Sequence, residues 1–312
     1  QKAALVIADN KIALDAGWDL NILQTQFDYL KECDFDLALT GFDVDEIGEL
    51  FPDELPMGLC DEDDCPDAPI EPITKLGDIW LLGEHRLMCG DSTIVTDVDR
   101  LMDGSRADMV FTDPPYGVEY QSNMRVKSKK FEVLVNDDIL LDITPIIESV
   151  SEGWVFVWTS WKVQNKWVEL FSPLGYPNNM IIWHKPGGGI GDLKKTFSSD
   201  YEVALVWNRG ANLCGKRIGS VWTINKDGSS QYKHPTQKPV ALSEEALDKC
   251  TNKNAKVLDL FGGSGTTLIA CEKLKRKCYM MELDSKYCDI IIQRYENYTG
   301  KKAVRENRDG DA

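Results

Sequence analysis

Lys256-Val-Leu-Asp-Leu-Phe-Gly-Gly-Ser-Gly-Thr-Thr-Leu-Ile-Ala-Cys-Glu272 decides the fold. Residues 256–261 predict a strand, Gly262-Gly-Ser-Gly265 a tight turn, and Thr266–Glu272 the opening of a helix. Glycines let the backbone approach a ligand closely at the carboxyl end of a strand. No Lys follows them, so this is not a Walker phosphate loop, and the full dinucleotide spacing is missing too. The next apolar run ends Tyr279-Met-Met-Glu282, and an acid at a second strand tip suits the two hydroxyls of a ribose. A Gly-rich turn with that acid and no phosphate site favours S-adenosylmethionine over NAD or ATP. The competing interpretation is an ordinary α/β turn with a surface Glu.

Working outward, Asp78-Ile-Trp-Leu-Leu82 and His85-Arg-Leu-Met-Cys89 predict a hairpin across Gly83-Glu84. Short apolar strands recur at 109–112, 154–158, 180–183, 202–207, 256–261 and 277–282. Helical patterns lie at 161–171, 243–250, 266–274 and 287–298. This alternation predicts an α/β fold with a doubly wound, mostly parallel, Rossmann-like sheet. Residues 1–50 read as a small helical N-terminal appendage, with Asp19 or Asn21 capping a helix through Leu30. Residues 51–76, with five prolines, read as an acidic linker or loosely packed strap. The main domain is expected over 77–300, followed by a polar tail over 301–312.

Asp113-Pro-Pro-Tyr116 follows the apolar run 109–111 and Thr112. A strand-end carboxylate, a stiff backbone with outward carbonyls and an aromatic plate can hold a flat heterocycle by its exocyclic amine. Hydrogen bonds to Asp113 and the Pro114 carbonyl pull such a nitrogen towards tetrahedral geometry and localise its lone pair for in-line attack on a methyl sulfonium. Tyr116 stacks on the base, which must leave the duplex to arrive there. The bland alternative is a proline-rich turn. No Pro-Cys nucleophile motif is present, which argues against cytosine C5 chemistry.

Composition sets the bounds. The net charge of −16 opposes a nucleic-acid partner at first sight, but residues 43–75 alone hold twelve acids and one Lys, a net of −11. A basic groove can exist on the remainder. The nine scattered cysteines predict thiols in a reducing cytoplasm rather than a disulfide framework. Cys60 and Cys65 lack a second ligand pair, so no metal site is expected. No signal peptide or membrane-spanning run is legible, and a first residue other than Met suggests a fragment or a processed form.

Asp113-Pro-Pro-Tyr116, His234-Pro-Thr-Gln-Lys-Pro239 and Phe261-Gly-Gly-Ser-Gly265 occur in that order. Over roughly residues 77–300 the chain resembles the β class of amino DNA methyltransferases. The resemblance implies that Asp113, Pro114, Pro115 and Tyr116 hold the target amine and base, with Asp113 also facing the cofactor. It implies that Phe261, Gly263 and Gly265 wrap S-adenosylmethionine, with Asp259 near its methionine amino group. Glu282 takes the ribose, Asp91 the adenine, and Thr236 and Lys238 line the methionine end. Asp at the first position of the tetrapeptide is more typical of adenine N6 than of cytosine N4 enzymes. Both outcomes stay open, as does a non-catalytic DNA-binding accessory protein with the same fold. Ile7–Lys11, Ala16–Trp18 and Thr40–Phe42 resemble the tail of a ParB-like domain, a partner often carried by phage and prophage methyltransferases. The alternative for this segment is a helical cap. A homodimer is implied by resemblance only, and a restriction partner is left open.

DNA-reading parts are expected between the tetrapeptide and His234, within 121–131, 187–197 and 209–233. Arg125, Lys127, Lys129, Lys130, Lys194, Lys195, Lys216 and Arg217 are the candidate phosphate contacts, each with a solvated loop as the alternative. Trp154, Trp158, Trp183 and Trp207 read as core, while Trp161 and Trp222 read as better contact candidates.

Overall fold

The computed structural model describes residues 58–116, 140–187, 200–225 and 237–306, with 23, 25–27, 29–30, 33, 35, 37–42, 195 and 197–198. The chain divides into two compact units, Gln1–Pro56 and Met57–Ala312. In the first, Leu23, Phe27 and Leu30 are buried at helical spacing, and Phe27 meets Phe42 edge-on at 5.4 Å. The proposed caps Asp19 and Asn21 lie outside the described residues.

The second unit is built on one mixed ten-stranded sheet. In chain order the strands are β1 (Ile79–Leu82), β2 (His85–Cys89), β3 (Ala107–Thr112), β4 (Ser151–Thr159) and β5 (Asn179–His184). They continue with β6 (Tyr201–Asn208), β7 (Val221–Thr223), β8 (Lys256–Asp259), β9 (Lys277–Glu282) and β10 (Val304–Arg305). Their spatial order is β10-β1-β2-β9-β8-β3-β4-β6-β5-β7. The central five, β2-β9-β8-β3-β4, are parallel throughout, so all their carboxyl ends lie on one edge. The expected hairpin is β1–β2. The segment expected as a polar tail contributes β10, which pairs with β1; Arg86 anchors it through Glu306 at 3.1 Å.

Helices cover both faces, as the near-continuous burial of the central strands requires. Met109 and Phe111 of β3 point to one core and Val110 to the other. The first core is closed by α4 (Val240–Cys250), α5 (Thr266–Lys273) and α6 (Ser285–Thr299). The second is closed by α1 (Val95–Met102), α2 (Thr144–Val150) and α3 (Gln164–Leu170). Strand order reverses between the parallel neighbours β3 and β8: β3 leads outward to β4, and β8 leads the other way to β9. Such a switch point leaves a crevice at the carboxyl edge. Among the described residues no helix is long and apolar enough to cross a membrane.

From Gly58 to Leu76 the segment expected as linker or strap is part of the second unit and packs on it. Leu59 N–H donates to Tyr298 O, and Asp289 accepts from the Ile73 N–H at 2.6 Å. Asp63 Oδ1 accepts the Val240 N–H at 3.0 Å, supplying from a distance the acceptor that Pro239 at the N-cap of α4 cannot. Glu62 shares the Lys273 ammonium with Glu244.

Candidate active site

Four of the expected acids stand along the carboxyl edge because four neighbouring parallel strands end there. Asp91 follows β2, Glu282 ends β9, Asp259 ends β8 and Asp113 follows β3. Register locks the first two together: Cys89 pairs with Glu282, and Gly90 N–H donates to Glu282 O at 3.0 Å. Asp91 closes a turn by accepting from the Thr93 N–H at 2.9 Å and hydroxyl at 2.7 Å.

The glycine loop folds as a ligand cradle. Gly263 has φ 52° and open space where a Cβ would stand, while Gly265 at φ 85° packs tightly on Ile291. Glu282 reaches across, accepting from the Gly263 N–H at 2.8 Å with one oxygen and from the Asp284 N–H at 2.9 Å with the other. Burial pushes its carboxyl up to about 7 against those donors.

Asp259 is tied into the loop itself. It is buried and accepts from Thr112 Oγ1 at 3.1 Å, Phe261 N–H at 3.1 Å and Thr267 Oγ1 at 2.6 Å. Burial raises its carboxyl to about 7 despite these bonds. It therefore ties the base of the glycine loop to the residue preceding Asp113. Arg294, also buried, donates to Ser264 O at 3.0 Å and to Glu62 O at 2.7 Å, joining the loop to the acidic strap.

At the tetrapeptide, Tyr116 Oη donates to Asp113 Oδ1 at 2.8 Å, and the Lys238 ammonium donates to Asp113 Oδ2. Lys238 Nζ also lies 3.1 Å from Tyr116 Oη and 3.5 Å from Glu202 Oε2. It sits over the rings of Trp158 and Tyr116, at 5.4 and 5.7 Å from their centroids. The side chain is only 9% exposed. Burial opposes its charge, but Asp113 and Glu202 outweigh burial and hold the ammonium above its usual range. Burial, then the same two carboxylates, keeps the Tyr116 phenol protonated well beyond its ordinary value. Lys238 thus meets Asp113 directly.

Glu202 and Lys185 were not singled out by sequence as members of this site. β6 runs antiparallel to β4 and β5 antiparallel to β6, so the start of β6 and the end of β5 return to the carboxyl edge. That puts Glu202 beside Lys238 and lets Lys185 Nζ donate to Glu202 Oε1 at 2.8 Å. The signal available was an acid opening the otherwise apolar run Tyr201-Glu-Val-Ala-Leu-Val-Trp207.

Other expected residues are distributed differently. Lys216 and Arg217 are exposed on the loop leaving β6 at the opposite, amino edge, where Cys214 N–H donates to Lys249 O near the far end of α4. The structure does not bring them to Asp113, because antiparallel β6 carries the chain away from the crevice. Lys195 is exposed. Thr236, Arg125, Lys127, Lys129, Lys130 and Lys194 lie outside the described residues. Trp158, Trp183 and Trp207 are buried, and Trp154 is partly so. Trp222, expected nearer a loop, is buried in β7 and stacks on Phe156 at 6.4 Å. Trp161, just past β4 at the carboxyl edge, is 51% exposed.

Residues 107–293 match the family model described as DNA methylase, of the N6/N4 type. The chain belongs to this DNA methylase family. Residues 21–76 match the ParB-methyltransferase HTH domain, a span that runs from the N-terminal unit through the acidic segment. The methylase is 24% identical to the type II methyltransferase M.HpaI of Haemophilus parainfluenzae, over 72% of this chain and 78% of that one. It is 31% identical to M2.MboI of Moraxella bovis over 40% of this chain and 43% of that protein. With M.MwoI of Methanothermobacter wolfeii it shares 29% identity over 41% of this chain. The chain spans 20% and 43% of the lengths of M.MwoI and M2.MboI. The crystal structure of the M1.HpyAVI–SAM complex shares the fold of this methylase, with TM-score 0.52 and 24% identity over 67% of this chain and 98% of that one.

Proposed function

We propose that this methylase transfers a methyl group from S-adenosylmethionine to N6 of an adenine flipped out of DNA. The observation carrying this is the convergence of the Asp113–Tyr116 pair with the open Gly263 cradle and Glu282 at one switch-point crevice. The cradle fits the donor: Gly263 leaves open space, Glu282 presents a carboxylate for ribose hydroxyls, and Asp91 stands at the neighbouring strand end. When bound, S-adenosylmethionine supplies an electrophilic methyl on a sulfonium.

The chain's own residues do the rest by positioning. Asp113 and the Pro114 carbonyl accept from the exocyclic amine and localise its lone pair. Tyr116 provides the plate for the base, and its hydroxyl orients Asp113. Trp161 is exposed at the same edge and is a second aromatic surface for an unstacked base. Asp113 heading the tetrapeptide favours adenine N6; cytosine N4 is the alternative, served by the same geometry. The N-terminal unit, with its HTH match, adds a second contact to DNA. The enzyme works in the cytoplasm, in keeping with its free thiols.

The test is tritium transfer from labelled S-adenosylmethionine to unmethylated mixed-sequence DNA. Wild type labels the DNA, and Asp113→Ala lowers the rate by at least about a hundredfold. Equal labelling by both proteins removes the mechanism.

A further inference from the structure

A cation stands where the substrate amine must bind. Lys238 Nζ contacts Asp113 Oδ2, the carboxylate that the target amine needs, and it also touches Tyr116 Oη at 3.1 Å. Left there, it blocks half of the amine's acceptor. It also sets a positive charge beside a nitrogen that becomes positive as the methyl carbon bonds to it. A second carboxylate lies ready on the other side: Glu202 Oε2 is 3.5 Å from Nζ and accepts from Tyr116 Oη at 3.4 Å. Glu202 is itself fixed, since Lys185 donates to its other oxygen at 2.8 Å and β6 holds its backbone against β5. Asp113 comes from β3, Glu202 from β6, and Lys238 from the segment entering α4. The lysine is the flexible member, because an unbranched four-carbon stem can re-aim its ammonium without backbone movement.

We propose that Glu202 is a positioning residue for methyl transfer, drawing the Lys238 ammonium off Asp113 when a base enters so that the exocyclic amine takes the vacated oxygen. This rests on the proposed methyltransferase activity. The amine nitrogen forms its bond to the methyl carbon as the carbon–sulfur bond breaks and sulfur keeps the electron pair. The extra nitrogen proton then passes to the freed Asp113 carboxylate and on to water. Paired with Glu202, the ammonium remains neutralised through the step and away from the developing charge.

The test is a double-mutant cycle in the full chain, using single-turnover methylation of unmethylated mixed-sequence DNA. Glu202→Gln keeps the shape but cannot hold the ammonium as an ion pair. It is expected to slow transfer by about 30-fold or more while the dissociation constant for S-adenosylmethionine changes by less than about twofold. In a Lys238→Met background, where no ammonium needs moving, the same substitution is expected to cost less than about threefold. A readout independent of turnover is the fluorescence of 2-aminopurine placed next to the target adenine, which keeps its own exocyclic amine, once the products locate it. Its rise on binding is expected to be strong for wild type, weak for Glu202→Gln, and restored in the double variant. The proposal is overturned if Glu202→Gln matches wild type, or if it costs the same factor in both backgrounds, as a merely structural residue would. A wild type that binds S-adenosylmethionine but methylates no DNA fails the activity itself, and this inference with it.

Discussion

Glu282 offers the sharpest test of the cofactor cradle. It hangs from the end of β9, accepting from two backbone N–H groups, and burial raises its carboxyl to about 7. Ribose hydroxyls donate to a carboxylate, and a protonated acid accepts far less well. Affinity for the adenosine end should therefore climb with pH through neutrality. A group titrating at about 7 weakens binding about tenfold at pH 6 relative to the plateau above pH 8, or about 1.4 kcal/mol. The suitable ligand is 5′-methylthioadenosine, which carries the ribose and base but no amino-acid end to titrate. Isothermal calorimetry from pH 5.5 to 8.5 is expected to give that slope for wild type. Asp259, also raised to about 7, titrates in the same window, so Glu282→Gln separates the two. That variant should bind more weakly at pH 8 and lose most of the slope. The same linkage acts on the ligand-free fold with a fixed sign. A raised carboxyl gives stability present below about pH 4.5 and lost as pH rises through about 7, so ligand should protect most at alkaline pH. Wild-type affinity that stays flat between pH 6 and 8, or a full slope retained in Glu282→Gln, would refute the assignment of the ribose to this residue.

Other expectations follow from the packing. A Cβ on Gly153 would stand 1.9 Å from Asp108 O across β3–β4, so Gly153→Ala should cost about 3 kcal/mol or more in urea unfolding. Glu272 accepts from His85 Nε2 at 2.9 Å and Lys301 at 2.7 Å, and these bonds, His85 first, hold its carboxyl down at about 2. Its stabilisation is complete above about pH 4.5 and lost as pH falls towards 2, so Glu272→Gln should lower Tm at pH 7 and scarcely at pH 2. Asp63→Ala removes the acceptor for Val240 N–H and should cost about 1 kcal/mol, while Asp63→Asn costs less. Thermal melts of the three proteins check that order.

The parallel centre of the sheet was legible because its strands are apolar on both faces and end in punctuating residues. Lys277–Glu282 is a strand over the predicted span, and the glycine turn fell where its glycines demanded. The short edges were not legible. Val221–Thr223 and Val304–Arg305 are strands only because a neighbour offers hydrogen bonds, and two or three residues carry no period. The helices at 95–102 and 144–150 were also missed; each is short and rich in β-branched residues (Val95, Thr96 and Val98; Thr144, Ile146, Ile147 and Val150), which local propensity does not favour as helix. At the site, Asp113, Tyr116 and Glu282 could be read from strand ends. Glu202 could not be joined to them, because that required knowing that β6 turns antiparallel and brings its first residues back to the crevice. The same turn sets Lys216 and Arg217 at the amino edge, which sequence proximity alone cannot assign. Asp259 shows the converse: its place at a strand tip was legible, but not that Thr112 and Thr267 would claim its oxygens.

The central claim is methyl transfer to an exocyclic amine, and the most direct measurement is mass spectrometry of nucleosides from mixed-sequence DNA incubated with the protein and S-adenosylmethionine. The account predicts N6-methyladenine in the wild-type digest and its loss in Asp113→Ala. N4-methylcytosine in its place would keep the mechanism and overturn the choice of base. A digest with no methylated base from a protein that binds S-adenosylmethionine would contradict the account.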